Sequence, residues 1–257
     1  MKSFKSIGIE TELFLTRCDG IKTTVFNASK ELEKLLGFNI NPVGFWADKK
    51  AFLQISDNST LTTDGTPVEY ATHWECSNSP HVTEYYLKKH LDEINKVNSS
   101  LLRGYTIDWG CFAKASNFVI FDSPNNIYAT QKLMRNAYTG QEFTVDKKEE
   151  NKAVTVRTAG LHLHFELKNH DIHSPRITDE IIKLIDTIYY SYYAMGEESY
   201  ARSQRDLSQI KGNYRIKEHN RRLKTLEYRQ LIPSMLKNNQ LFGFLCHIDN
   251  EINKIKD

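Results

Sequence analysis

The chain has 257 residues, enough to bury a large core, and 34 Lys and Arg residues nearly balance 32 Asp and Glu residues. This balance argues against a dedicated nucleic-acid-binding protein but leaves a local basic patch open. The sequence shows no signal-like leader and no apolar run of the roughly 20 residues that cross a membrane, and none of its four cysteines forms a C-x-x-C pair. We therefore expect a soluble, cytoplasmic protein.

Alternating apolar and polar residues predict a first strand over residues 7–15. One face of this strand is apolar, and the other carries Glu10 and Glu12. A solvated strand face explains one such glutamate well. Two carboxylates side by side repel each other, however, so the pair needs a cation nearby.

The rest of the chain mixes strands and helices without regular alternation, which predicts an α+β domain built on an antiparallel sheet. Residues 122–150 are polar and contain a Lys-Glu run, so we predict a mobile loop there. Periodicity, caps and breakers predict helices over 27–36, 80–97, 178–195 and after Pro233, and strands near Val68 and over 73–76, 105–107, 118–121, 153–167 and 226–231.

A second acidic group comprises Asp64, Glu69 and Glu75, which flank or occupy the strands near Val68. Turn chemistry accounts equally well for Asp64, and solvent exposure accounts for the two glutamates. If this group meets the first strand, its carboxylates add ligands for a cation. The sequence leaves open which glutamate takes part, because the register of the intervening segment is not fixed by the pattern.

His162 and His164 are two residues apart in a predicted strand, so they share one face, and Gly160 precedes them. A single histidine is usually a packed or surface residue, whereas two on one face are typical of a ligand site. The His-x-His pattern is also common at zinc. The other candidate ligands are carboxylates, which favour magnesium or manganese.

Glu227 and Arg229 likewise share a strand face. A structural ion pair is one reading, and a metal ligand beside a phosphate clamp is the other, because a guanidinium can bind two phosphate oxygens at once. The basic segment 202–222 is read as a solvated helix face, a nucleic-acid patch or loops over nucleotide phosphates. No Walker A or Rossmann glycine motif is present.

In their order along the chain, these motifs resemble the carboxylate–amine ligases of the glutamine synthetase and glutamate–cysteine ligase fold, and most of all the phage-type amidoligases. Gly160-Leu161-His162-Leu163-His164 is similar to the Gly-x-His-x-His strand of glutamine synthetases, and Leu226-Glu227-Tyr228-Arg229 to their late Glu-x-Arg strand. Ile9-Glu10-Thr11-Glu12 is similar to the opening strand of glutamate–cysteine ligases. Further matches are Thr62-Thr63-Asp64, Arg157-Thr158-Ala159-Gly160, Arg205 and Gly212-Asn213-Tyr214-Arg215. In two places the chain departs from the phage-type pattern: Leu161 replaces a second glycine, and Glu-Thr-Glu replaces Asp-Pro-Glu.

The resemblance implies one catalytic domain over residues 1–257, with a curved antiparallel sheet, a partial barrel with helices outside. It implies ATP and Mg²⁺ or Mn²⁺ as cofactors, small-molecule or peptide carboxylates and amines as substrates, and the host cytoplasm as location where such a chain is phage-encoded. The implied metal ligands are Glu10, Glu12, Asp64, Glu69 or Glu75, His162 and Glu227. The implied nucleotide contacts are His162, His164, Arg205, Arg215 and Arg229, and the implied catalytic residues are Arg229, Arg215 and Glu12.

Two other functions fit the same residues. A metal-dependent hydrolase would use the His-x-His strand with Glu166 or Glu12, and a binding protein would keep the fold without catalysis. ATP turnover separates the three, because a ligase consumes ATP only with both of its acceptors. A hydrolase needs no ATP, and a binding protein turns over nothing.

Overall fold

A computed structural model of the protein describes residues 1–18, 23–25, 53–63, 67–100, 105–114, 132–145, 156–194, 210–219 and 223–255. The strands are β1 (Phe4–Cys18), β2 (Thr23–Val25), β3 (Leu53–Ser56), β4 (Ser59–Thr63), β5 (Val68–Glu75), β6 (Tyr105–Asp108), β7 (Phe112–Lys114), β8 (Lys132–Asn136), β9 (Glu142–Val145), β10 (Val156–Thr158), β11 (Leu161–Leu167), β12 (Asn213–Glu218) and β13 (Lys224–Leu231). The helices are α1 (Pro80–Ser100), α2 (Pro175–Ile188), α3 (Ser234–Lys237) and α4 (Gln240–Ile252), and one π-helical segment covers Tyr189–Tyr193.

Eleven of these strands form one sheet, in which the main path runs β3-β4-β5-β1-β11-β13-β12-β8-β9. β2 and β6 pair with the far end of the long strand β1, while β10 and β7 form a separate two-stranded sheet. Every described pairing is antiparallel. The central strands β5-β1-β11-β13-β12 carry Glu10 with Glu12, Glu69 with Glu75, the His-x-His pair, and Glu227 with Arg229.

One face of this central sheet is the main core of the protein. Ile7 and Ile9 of β1, Phe165 of β11 and Tyr228 of β13 are all fully or almost fully buried on it. Such bulky side chains each stabilise the fold by roughly 1.5–3 kcal/mol when they leave water. Since side chains alternate along a strand, the residues between them point to the opposite face.

Helices cover the apolar face. His90 of α1 contacts Thr11 of β1 across a Nε2–Oγ1 distance of 3.1 Å. From α2, Asp179 accepts a hydrogen bond of 2.7 Å from the Tyr214 hydroxyl of β12. α4 packs against α2 and α1, and its Asp249 accepts the backbone N–H of Ser3 at 2.8 Å.

The structure confirms an α+β fold with a large antiparallel sheet, which is not closed into a barrel. The predicted strands near Val68 and over 73–76 are one strand, β5, and the predicted strand 153–167 is divided at Ala159-Gly160 into β10 and β11. The predicted loop 122–150 contains a hairpin, β8–β9, that joins the sheet through β12. The predicted helix 27–36 and strand 118–121 lie outside the described residues.

Several other elements agree closely with their sequence patterns. The predicted helix over residues 80–97 is α1, and the predicted strand over 226–231 is β13. The helix predicted over 178–195 begins at Pro175, whose ring suits a first helical turn, and changes to π-helix at Tyr189. Among the described helices, none combines the length and the apolar character that crossing a bilayer requires.

Candidate functional site

The charged motifs meet on the sheet face opposite the apolar core. Glu10 of β1 lies opposite His162 of β11, and His164 lies opposite Glu227 of β13. Glu227 in turn lies opposite Arg215 of β12. Segments more than 200 residues apart in sequence therefore present to one another the polar faces that the period-two pattern assigned within each strand.

Glu10 is the centre of this group. Its Oε1 forms an ion pair with Lys217, and its Oε2 lies 3.2 Å from His164 Nε2 and 3.4 Å from His162 Nδ1. Burial alone would raise the pKa of Glu10, but His164 and Lys217 hold it well below its ordinary value. Glu10 is therefore an ionised carboxylate in contact with three nitrogen-bearing side chains.

Glu12 is fixed by the backbone between β10 and β11. Its Oε2 accepts a hydrogen bond of 2.8 Å from the Gly160 N–H, and its own N–H donates 2.8 Å to the Gly160 carbonyl. Its Oε1 lies 3.8 Å from His162 Nε2. The glycine that precedes the His-x-His strand thus orients a buried carboxylate toward the first histidine.

Glu227 is completely buried between two guanidinium groups, those of Arg215 and Arg229, and forms an ion pair with each. Burial would raise the pKa of Glu227, but Arg229 and Arg215 keep it well below the ordinary value. Only 3 % of Arg229 is exposed. Glu227 and Arg229 thus form the structural ion pair of the first reading. They also belong to the larger charged face, as the metal ligand and phosphate clamp of the second reading would.

His162 brings a buried imidazole nitrogen, Nε2, to the charged face. The residue is 1 % exposed, and its Nε2 forms no hydrogen bond with any described residue. Burial and the charge of Arg229 lower the pKa of His162 to about 3, so the imidazole is neutral and carries a free lone pair. A neutral imidazole whose buried Nε2 makes no hydrogen bond to a described residue and lies near a carboxylate is suited to bind a cation.

Ligand atoms of Glu10, His162 and Glu227 all lie within 4.8 Å of one another. Two carboxylates and one imidazole form a ligand set that suits a divalent cation with mixed oxygen and nitrogen preference, such as Mn²⁺, Mg²⁺ or Zn²⁺. The residues present therefore fit a metal ion. The adjoining cations, Arg215, Arg229 and Lys217, fit an anionic ligand beside it.

The register of β5 separates the two glutamates that the sequence could not distinguish. Glu69 lies directly opposite Glu12, whereas Glu75 lies opposite Ser6. Six residues of strand separate Glu75 from Glu69, which is about 20 Å. Glu69 is therefore placed with the charged group and Glu75 is not, while Asp64 and Arg205 lie outside the described residues.

Two further predicted residues differ in their surroundings. His164 Nδ1 lies 3.3 Å from the Thr225 hydroxyl, which also lies 2.8 Å from Nε2 of His219. Glu166, proposed for a hydrolase, instead receives a hydrogen bond of 2.6 Å from Lys5 at the exposed end of the face. Glu12, the other residue of the hydrolase alternative, lies beside His162.

Lys217 is the site residue that sequence reasoning missed. It belongs to the basic segment 202–222, which was read as a helix face, a patch or a set of loops, but residues 213–218 of that segment are strand β12. The alternation Arg215-Ile216-Lys217 was the signal, because it places both cations on one strand face. Lys217 thus joins Arg215 and Arg229, which the resemblance implied, as a cation in contact with the central carboxylates Glu10 and Glu227.

The site is chemically a mixed group: carboxylates and a neutral imidazole that fit a divalent cation, beside fixed cations that fit an anion.

Comparisons with protein-family models, with curated proteins and with solved structures find no match for this chain. The interpretation of its function therefore depends on the geometry of this charged face.

Proposed function

We propose that this protein is an ATP-dependent carboxylate–amine ligase that forms an amide or isopeptide bond. The observation that carries the proposal is the group of Glu10, His162 and Glu227, whose ligand atoms lie within 4.8 Å of one another next to three cations. Transfer of a phosphoryl group between anionic reactants needs such a combination of metal ligands and fixed positive charge. The ordered resemblance of the motifs to amidoligases supports the same reaction.

In this proposal, Glu10, His162 and Glu227 would hold Mg²⁺ or Mn²⁺, while Glu12 and the paired Glu69 lie on the same face of the neighbouring strands. A metal held there would supply charge neutralisation for the phosphoryl group. Arg229 and Arg215 bind the phosphoryl oxygens, because their guanidinium groups fit two oxygens at a time. His164 contributes to the nucleotide side of the site.

The reaction has two chemical steps. A carboxylate oxygen of the first substrate attacks the terminal phosphorus of ATP, and ADP leaves with the bridging oxygen. The amine nitrogen then attacks the acyl phosphate, inorganic phosphate leaves, and a proton is lost from nitrogen. Glu12, which Gly160 orients, is the candidate to receive that proton.

The test is a screen for ADP release with panels of amines and carboxylates, each pair compared with its two single components. A ligase should release ADP only with both substrates and Mg²⁺ or Mn²⁺. Lys224→Met is the control for variants of the charged face. It removes only the largely exposed ion pair with Glu218 and should release ADP as the wild type does.

Metal analysis provides a second, independent measurement. Tightly bound stoichiometric zinc that survives dialysis, together with hydrolysis in the absence of ATP, would contradict the proposal and favour the hydrolase with His162 and Glu12. Neither ATP turnover nor hydrolysis across the panels would favour a binding protein.

A further inference from the structure

The ion pair between Lys217 and Glu10 crosses the candidate site. Lys217 lies on β12 and Glu10 on β1, and the strands between them, β11 and β13, carry His162, His164 and Glu227. The two long side chains therefore meet above the residues that form the candidate cation site. The ammonium of Lys217 is held next to the same carboxylate that the metal would need.

The Glu10 carboxylate cannot pair fully with the Lys217 ammonium and with a divalent metal ion at the same time. Glu10 already uses Oε1 for Lys217 and directs Oε2 to His164 and His162. A divalent ion bound at Glu10 and His162 would repel an ammonium a few ångströms away, and this repulsion is strong where water is largely excluded. Only 27 % of the Lys217 side chain is exposed.

We propose that Lys217 is an internal counter-ion for Glu10, which a divalent cation displaces and which then binds an anionic group of the incoming ligand. This inference rests on the cation site of the proposed function. In the absence of the metal, Lys217 keeps Glu10 ionised and in place. When the metal takes Glu10, the ammonium becomes available on the face that it shares with Arg215.

Phosphate-like oxygens are the chemistry that suits the released ammonium. Arg215 is two residues from Lys217 on the same strand face, and Arg229 shares Glu227 with Arg215. Three cations on adjoining strands then face the metal, and a phosphoryl group can contact both. Metal and anion should therefore bind with positive coupling, and each should raise the affinity for the other by the same factor.

The experiment is calorimetric titration of Mn²⁺ alone, inorganic phosphate alone, and each in the presence of the other. It compares the wild-type protein with Lys217→Met, Lys217→Arg and the surface control Lys224→Met. Lys217→Met should bind Mn²⁺ alone roughly 10-fold more tightly, because the competing charge-assisted hydrogen bond is gone. Lys217→Arg, which keeps the charge, and Lys224→Met should bind Mn²⁺ with about wild-type affinity.

The coupling between the two ligands gives the second readout. Wild-type protein should bind phosphate more tightly with Mn²⁺ present, and Lys217→Met should lose most of this gain. If Lys217→Met fails to fold by circular dichroism, Lys217→Gln replaces it, and coupling in the wild-type protein is measured in any case. Absence of coupling in the wild type overturns the inference.

The outcomes also separate this inference from the proposed function. Suppose that the wild-type protein binds Mn²⁺ and releases ADP. If Lys217→Met then binds Mn²⁺ with unchanged or weaker affinity, only the role of Lys217 is overturned. No Mn²⁺ binding by any of the proteins overturns both the inference and the cation site. If no substrate pair releases ADP but Lys217→Met binds Mn²⁺ more tightly than the wild type, only the ligase proposal is overturned.

Discussion

Two carboxylates with no solvent exposure, Glu227 and Asp186, lie on opposite faces of strand β13. Glu227 points to the charged face and pairs with Arg215 and Arg229. Asp186, from α2, lies on the apolar face and accepts a hydrogen bond of 2.7 Å from the hydroxyl of Tyr228, the residue next to Glu227. The two carboxylates are therefore equally buried, but one contacts guanidinium groups and the other a tyrosine hydroxyl.

The partners decide the charge of each group. Two guanidinium groups hold the pKa of Glu227 well below its ordinary value despite burial. Burial raises the pKa of Asp186 to about 6, because Tyr228, Lys211 and Tyr138 offset only part of the loss of water. Two guanidinium groups in direct contact thus outweigh burial at Glu227, whereas two tyrosine hydroxyls, the Gly212 N–H and the charge of Lys211 do not outweigh it at Asp186.

Glu227→Gln should produce the largest effect on both activity and stability. ATP turnover should fall by at least about 100-fold, the scale for losing a charged partner of the transition state. The free energy of unfolding should also fall by about 3–5 kcal/mol, because buried Arg229 and the partly exposed Arg215 lose their shared carboxylate. ADP release and denaturant unfolding measure the two quantities.

Asp186→Asn is the matched control for Glu227→Gln, since it removes a carboxylate of equal burial on the other face. Its turnover should stay close to that of the wild type, and its stability at pH 8 should be equal or higher. Loss of activity in Asp186→Asn but not in Glu227→Gln would show that the charged face is not the active site.

Arg229→Lys should impair turnover nearly as strongly as Arg229→Ala, by roughly 10-fold or more. Lysine keeps the charge beside Glu227 but lacks the planar group that can bind two phosphoryl oxygens. If Arg229 only neutralises Glu227, Lys should restore most of the activity and stability that Ala loses. Near-wild-type turnover of Arg229→Lys would leave Arg229 as a structural partner of Glu227.

The sequence predicted much of the charged face because a strand has only two faces. Within each strand, alternation alone assigned Glu10 with Glu12, His162 with His164, and Glu227 with Arg229 to a polar face. The register between strands, in contrast, depends on tertiary pairing that no local pattern encodes. For this reason the choice between glutamates of β5 needed the structure, and Lys217, inside a basic run, was not distinguished from a solvated charge.

One expectation from the sequence changes its meaning in the structure. The acidic pair of β1 was expected to need a cation nearby, and the described residues supply one, since Lys217 contacts Glu10 while the Gly160 N–H contacts Glu12. The contact between Asp186 and Tyr228 was equally hidden, because it joins a helix to a strand 42 residues further along the chain. The sequence pattern therefore predicts which side chains share a strand face, but the residues that they contact depend on tertiary packing.

Asp186 should contribute a pH dependence that Glu227 lacks. Its folded pKa of about 6 lies above the ordinary value of 3.8, so the folded state binds more protons between these values. Its contribution to stability is therefore full below pH 4 and is lost as the pH rises through 6, by on the order of 3 kcal/mol.

The readout for Asp186 is the difference between wild type and Asp186→Asn in unfolding experiments from pH 4 to pH 8. This difference is needed because His90 and His162, whose pKa values burial lowers to about 3, contribute the opposite slope below pH 6.5. Parallel stability curves for the two proteins would show that Asp186 does not titrate in this range.

Tyr228→Phe should have the smallest effect, and its dependence on pH is the informative part. The variant removes the hydroxyl that donates to Asp186 but leaves the ring in the core and the charged face untouched. At pH 4, where Asp186 is protonated in the folded state, the loss should be about 1 kcal/mol, the usual net contribution of a neutral hydrogen bond. At pH 8 the hydroxyl faces an ionised carboxylate, and the loss should rise to about 1.5–3 kcal/mol. Equal losses at both pH values would contradict the titration of Asp186, whereas a loss of ATP turnover would contradict the separation of the two faces.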